Sequence, residues 1–164
     1  MRAVYAGSFD PITLGHVSVI ERAFHLFSEV HIIVANNRSK KHYFTIEQRT
    51  ELVALSIQLD EKIKIVPFEG IVADYVNEHD INVIIRGIRN ATDLEYELQL
   101  EQYIRNATMA DTIYLSPYTH YMQTSSSLVR MFLMSDKIEL AASYMVPKAY
   151  MQMLDYVEYR GETT

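Results

Sequence analysis

From its first residues the chain alternates short apolar runs with segments of helical period. Ala3-Val4-Tyr5-Ala6, Val30-His31-Ile32-Ile33-Val34-Ala35, Ile63-Lys64-Ile65-Val66, Ile81-Asn82-Val83-Ile84-Ile85 and Thr112-Ile113-Tyr114-Leu115 read as five strands. Between them, Val17, Ile20, Phe24 and Phe27 recur at i, i+3, i+7 and i+10, one face of a helix. A second helix is predicted from Ile46 to Ile57, with Thr45 as its cap and Glu47 in its first turn. A third runs from Asp93 to Asn106, and a fourth contains Leu128 to Leu133. The tail from Tyr144 to Tyr159, rich in Met and Tyr, is amphipathic and is expected to pack over the sheet edge or at a subunit contact.

Alternation of this kind predicts an α/β fold, a parallel sheet covered by helices on both faces. Five strands with crossover helices make it a Rossmann-like, doubly wound sheet. The expected organisation is one domain over residues 1–164, with a C-terminal helical segment from about residue 136. Ligands of such sheets bind beyond the carboxyl ends of the strands. The segments that carry candidate chemistry all follow a strand's carboxyl end: Gly7–His16, Asn37–Lys41, Arg86–Arg89 and Ser116–Ser127.

Composition narrows the classes. The chain has 164 residues and 49% hydrophobic residues, enough for a sizeable core. It has no cysteine, which excludes disulfides, thiolate metal sites and a thiol nucleophile, and fits a cytoplasmic setting. With 15 Lys+Arg against 21 Asp+Glu the net charge is −6, and the notable cations are local: Arg38, Lys40, Lys41, Arg86 and Arg89. That distribution suits a small anionic ligand in one positive pocket better than a nucleic acid. No signal peptide and no membrane span are expected.

The segment Gly7-Ser8-Phe9-Asp10-Pro11-Ile12-Thr13-Leu14-Gly15-His16 is the most informative. A strand, a Gly/Pro-punctuated loop and a helix start at Gly15-His16 aim backbone N–H groups and an imidazole at one point, which suits a phosphate. His16 alone could equally be a helix-terminal cap. Asp10 and Pro11 read as turn-shaping residues. Ser125, Ser126 and Ser127 begin a helix, where hydroxyls and unpaired N–H groups can cradle an anion, although one serine would suffice as a cap. Arg86 and Arg89 flank Gly87 and would either hold an anion between them or pair with helix carboxylates. Lys40 and Glu97 could be solvated surface charges. His25, His31, His42, His79 and His120 are scattered, so no dedicated metal cage is expected.

Thr13-Leu14-Gly15-His16 after the first strand resembles the T-x-G-H signature of the nucleotidyltransferase superfamily. The wider set narrows the match. Ser39-Lys40-Lys41 before Phe44-Thr45-Ile46-Glu47-Gln48-Arg49, then Ile85-Arg86-Gly87-Ile88-Arg89, Asp93-Leu94-Glu95-Tyr96-Glu97 and Ser125-Ser126-Ser127-Leu128-Val129, resembles the bacterial phosphopantetheine adenylyltransferases over nearly the whole chain. That family joins ATP to 4′-phosphopantetheine, giving dephospho-coenzyme A and pyrophosphate. The resemblance implies His16, Lys40 and Arg89 as catalytic residues, and Ser8, Lys40, Val72 and Arg86 as contacts of the acceptor. It implies Ser8, Phe9, His16, Gly87, Ile88, Arg89, Glu97, Tyr121, Met122, Gln123, Thr124, Ser125, Ser126 and Ser127 as ATP contacts. It further implies Mg²⁺ carried mainly on the ATP phosphates, coenzyme A as a further ligand, and a homohexamer. The chain departs from the family at Ser8 (often Thr), Thr124 (usually Ile), Tyr121 (often Trp) and Ile104 (commonly Asn), and Asn106–Asp111 is about one residue short. A sister enzyme acting on nicotinamide mononucleotide or forming a CDP-alcohol is the nearest rival. A catalytically silent nucleotide or coenzyme A sensor is the rival of another class, and its mark would be loss of His16, Lys40 or Arg89.

Overall fold

The computed structural model describes residues 1–36, 41–58, 60–135 and 137–162. Strands β1 (Arg2–Gly7), β2 (Glu29–Ala35), β3 (Ile63–Phe68), β4 (Val83–Gly87) and β5 (Asp111–Leu115) form one sheet in the order β3-β2-β1-β4-β5. Every pairing is parallel, with Ala3 opposite Val30 on one side and Val83 on the other. The order reverses direction beside β1, between β2 and β4, so the loops after β1 and β4 open a crevice at the carboxyl rim.

Helices α1 (Leu14–Leu26), α2 (Ile46–Ser56), α3 (Val72–Glu78) and α4 (Ala91–Ala107) make the crossovers, and α5 (Ser126–Leu133) and α6 (Pro147–Glu162) follow the last strand. Successive residues of the central strands enter opposite cores. Ala3, Tyr5, Ile32, Val34, Val83 and Ile85 pack with Val19 and Ile20 of α1, Leu52 of α2, Val129 of α5 and Met153 of α6. Val4, Ile33 and Ile84 pack instead with Tyr75 and Val76 of α3 and Ile104 of α4. Each fully buried Val, Leu, Ile or Met side chain among them contributes about 1.5–3 kcal/mol. This two-sided burial is why the strands read as unbroken apolar runs.

Boundaries shift in ways the local chemistry explains. α1 begins one residue before Gly15, because Thr13 is its N-cap, and ends before Phe27. Thr45 caps α2 as expected: its hydroxyl accepts from Gln48 N–H, and the Gln48 amide accepts from Thr45 N–H. Ile81 and Asn82 precede β4, although Asn82 N–H still reaches Arg2 O. α3 has only seven residues and is absent from the periodic pattern. The tail forms a 3₁₀ stretch (Ile138–Tyr144) followed by α6.

Candidate active site

The loop after β1 is built around two buried anchors. Asp10, 4% exposed, accepts from Tyr43 N–H (2.7 Å) and Phe44 N–H (2.9 Å), so it ties this loop to the entry of α2. Its role is architectural, as the sequence suggested. Arg49, fully buried on α2, donates to Ser8 O (2.7 Å), Ala35 O (2.9 Å), Phe44 O (3.2 Å) and Asn36 Oδ1 (2.9 Å). One guanidinium therefore joins the ends of β1 and β2. Between these anchors Phe9 takes a positive φ of 45°, unusual for a bulky side chain, and its ring is 1% exposed. That ring packs edgewise against both Tyr5 (5.5 Å) and His16 (5.2 Å).

His16 sits in the first turn of α1. Thr13 N–H donates to His16 Nδ1 at 3.1 Å, and the Thr13 hydroxyl lies 3.0 Å from the same nitrogen. A backbone N–H can only donate, so Nδ1 is the acceptor and the ring proton sits on Nε2. Burial, and secondarily the charge of Arg89, lowers the imidazole pKa to about 4. The ring is thus a neutral donor at physiological pH. Its contact with the Thr13 N-cap is also what directs Nε2–H.

The imidazole lines a cavity of about 240 Å³ together with Tyr5, Ser8, Gly87, Arg89, Thr124 and Ser125 to Ser127. Ser125 is the N-cap of α5, its hydroxyl accepting from Leu128 N–H (3.1 Å). Ser126 donates to Pro11 O (2.8 Å), stitching α5 to the β1 loop. The Ser126 and Ser127 N–H groups, ahead of the capped Leu128, have no acceptor within the helix, and both residues line the cavity. Gly15 is required by close approach: a Cβ there would lie 2.3 Å from Thr124 Oγ1, which donates to Tyr121 O. Among the described residues no Asp or Glu lines the cavity, whereas Arg89 and Arg130 both do. The wall is therefore one of donors and positive charge, suited to phosphate oxygens.

Arg86 pairs with Glu97 (3.3 Å), and Arg89 pairs with Asp93 (2.8 Å), so both arginines hold helix carboxylates in this state. Arg89 also donates to Thr124 O (3.2 Å). Glu97, with Thr92, Asp93 and Tyr96, lines a second hollow that shares Gly87 and Arg89 with the first. Val72 starts α3 and packs against the second core. Tyr121, Met122, Gln123 and Ile88 are not in the cavity wall. Ile104 is a core residue of α4, 6% exposed. Lys40 and Arg38 lie outside the described residues. Among the described residues no three His, Asp or Glu side chains group as metal ligands, and no helix is long and apolar enough to cross a membrane.

Three residues escaped the sequence reading. Tyr5 passed as an apolar strand residue. Arg130 donates to Asp10 O (2.5 Å) and to the Ser127 hydroxyl (3.1 Å), and its i+3 spacing from Ser127 was the available signal. Arg49 carries no sequence signal beyond its place in the Phe44–Arg49 segment.

Residues 4–132 match the model of the cytidylyltransferase-like family. A phosphopantetheine adenylyltransferase of Actinobacillus pleuropneumoniae is 41% identical over 77% of this chain and 81% of its own. One from Campylobacter jejuni is 42% identical over 79% of this chain and 83% of its own. Among solved structures, the nicotinic acid mononucleotide adenylyltransferase of Plasmodium falciparum complexed with NaAD superposes with a TM-score of 0.64. It covers 94% of this chain and 95% of its own at 19% identity, a likeness of fold.

Proposed function

The chain belongs to the cytidylyltransferase-like family, among its phosphopantetheine adenylyltransferases, and from that premise we propose how its rim performs the reaction. The protein is a nucleotidyltransferase that moves the adenylyl group of ATP to 4′-phosphopantetheine, giving dephospho-coenzyme A and pyrophosphate in coenzyme A synthesis. An oxygen of the phosphopantetheine phosphate attacks the α-phosphorus of ATP. The bond from that phosphorus to the α–β bridging oxygen breaks, and pyrophosphate leaves with the electron pair. The attacking phosphate is already ionised at neutral pH, so no base is needed. What the protein must supply is alignment of two anions and donors for the charge that builds between them.

The observation that carries this reading is the His16 tautomer. Thr13 N–H fixes Nδ1 as acceptor, which leaves Nε2–H to donate to the α-phosphate. Arg89 and the first turn of α5 with Ser125, Ser126 and Ser127 hold the β- and γ-phosphates, and Ser8 bridges both reacting phosphates. Lys40 and Arg86 orient the acceptor phosphate, and Val72 lies against its pantetheine arm. Arg86 reaches that phosphate by exchanging its contact with Glu97. Mg²⁺ enters as part of the substrate, on the triphosphate, consistent with a wall that presents hydroxyls and cations rather than carboxylates.

The test is a pyrophosphate-release assay with MgATP and a panel of acceptors, run on the wild type and on His16→Ala. Phosphopantetheine should be turned over, with dephosphorylated pantetheine inert because it lacks the attacking group. Equal turnover with nicotinamide mononucleotide would favour the sister activity. His16→Ala should lose ~10²–10³-fold in kcat with little change in the ATP dissociation constant. A parallel fall in both would make His16 a binding residue only.

We further read the protein as a cytoplasmic homohexamer. The exposed Tyr96, Leu98 and Tyr103 of α4 are compatible with a subunit contact. Light scattering that finds a monomer at micromolar concentration would refute it.

A further inference from the structure

Tyr5 stands on β1 two residues before Gly7, at the level where the sheet opens into the crevice. Its ring is fixed by edgewise packing on Phe9, the residue that also supports the His16 ring. The residue is 6% exposed, and that remaining exposure is on the cavity wall. A Cβ on Gly87 would come within 2.9 Å of the Tyr5 hydroxyl, so the phenol tip lies against the end of β4 where Gly87 leads to Arg89. Glycine at this position leaves room for the hydroxyl.

Among the described residues the Tyr5 hydroxyl makes no hydrogen bond. The hydroxyl is not sealed in the core but opens on the cavity, where a phenol held in so buried a residue is free to meet an acceptor that enters. Here the charges facing it are those of Arg89, Arg86 and Glu97. Burial pushes the phenol pKa up and outweighs the opposing effect of the two arginines, so the group stays protonated and can donate. What is missing is an acceptor, and the wall around it is built to bring one.

We propose that the Tyr5 hydroxyl is a further catalytic donor of this site, hydrogen-bonded to a non-bridging oxygen of the ATP α-phosphate beside Gly87 and His16. The inference rests on the adenylyl-transfer reading given above. No proton is transferred in this role. The phenol keeps its hydrogen while the acceptor oxygen bonds to phosphorus and pyrophosphate departs. The same hydroxyl, unpaired in the ligand-free protein, gains its partner when the nucleotide binds.

Tyr5→Phe tests this with the ring packing preserved. A hydroxyl to a charged acceptor is worth about ten-fold to a hundred-fold in kcat/KM, and that is the expected loss with MgATP and phosphopantetheine. The melting temperature should stay within a degree or two or rise, because the hydroxyl opens on the cavity and the variant loses no hydrogen bond within the ligand-free fold. Wild-type kcat/KM in the variant would overturn the inference, and so would a loss of activity accompanied by a lowered melting temperature, which is the mark of a structural hydroxyl. If the wild type itself fails to turn over phosphopantetheine, the functional reading falls. Calorimetric titration with MgATP then decides the role of Tyr5: weaker binding by the variant supports it, and equal dissociation constants overturn it.

Discussion

Replacing Arg49 by methionine removes a guanidinium that has no contact with solvent and serves four acceptors. Each hydrogen bond from a charged group is worth about 1.5–3 kcal/mol, but the four share one side chain and do not add. The orphaned Ser8, Ala35 and Phe44 carbonyls would remain near the core without a donor. Truncation of a buried charged cluster typically costs about 3–5 kcal/mol. At roughly 2–4 °C per kcal/mol for a chain of this size, the melting temperature should fall by roughly 6–20 °C. Arg49→Lys keeps a charge but cannot fan out to four acceptors, so it should lose roughly half as much. Because Ser8 and Asn36 sit at the ends of β1 and β2, kcat should fall in both variants even well below their melting temperatures. Differential scanning calorimetry and pyrophosphate release on the same preparations measure both effects. A methionine variant that melts within 2 °C of wild type, with wild-type kcat, would refute the idea that this side chain braces the rim.

The His16 ring in the free enzyme should show no titration between pH 5 and 8 by NMR, with its midpoint near pH 4. A transition near 6.5 would contradict the buried, neutral imidazole. Its folded pKa lies below the unfolded one, so its contribution to stability is whole above about pH 6.5 and declines as the pH falls toward 4. Arg89→Met should move the midpoint upward, because a neighbouring cation is removed; an unchanged midpoint would show that Arg89 does not influence the ring. Gly15→Ala should destabilise by about 1–3 kcal/mol through overlap with Thr124 Oγ1. Gly15→Ala with Thr124→Ala should lose less than the two single changes summed, and strict additivity in chemical denaturation would argue against that contact.

The strand–helix alternation was legible because both sheet faces are buried, which turns strands such as Val30–Ala35 into apolar runs. The T-L-G-H segment was legible because its spacing ties a helix start to a loop. Other features depend on distant pairings. Arg86 meets Glu97 only because α4 folds back over the end of β4, and nothing in the local sequence of either residue announces that. Arg49 lies in Glu47-Gln48-Arg49, which has the look of an exposed helix face. Its burial follows from where the β1 and β2 loops end. Tyr5 satisfies the strand pattern completely, so its hydroxyl stands out only once Gly87 is placed beside it. α3 is seven residues long with three buried positions, too short for a periodic signal.

The most direct test of adenylyl transfer follows the phosphorus atoms. ATP labelled at the α-phosphate and, separately, at the γ-phosphate would be incubated with the protein, Mg²⁺ and 4′-phosphopantetheine, and the products separated. The α-label should appear in dephospho-coenzyme A and the γ-label only in pyrophosphate, in equal amounts. The γ-label on the acceptor, or the α-label released as free AMP, would contradict the reaction assigned to this chain.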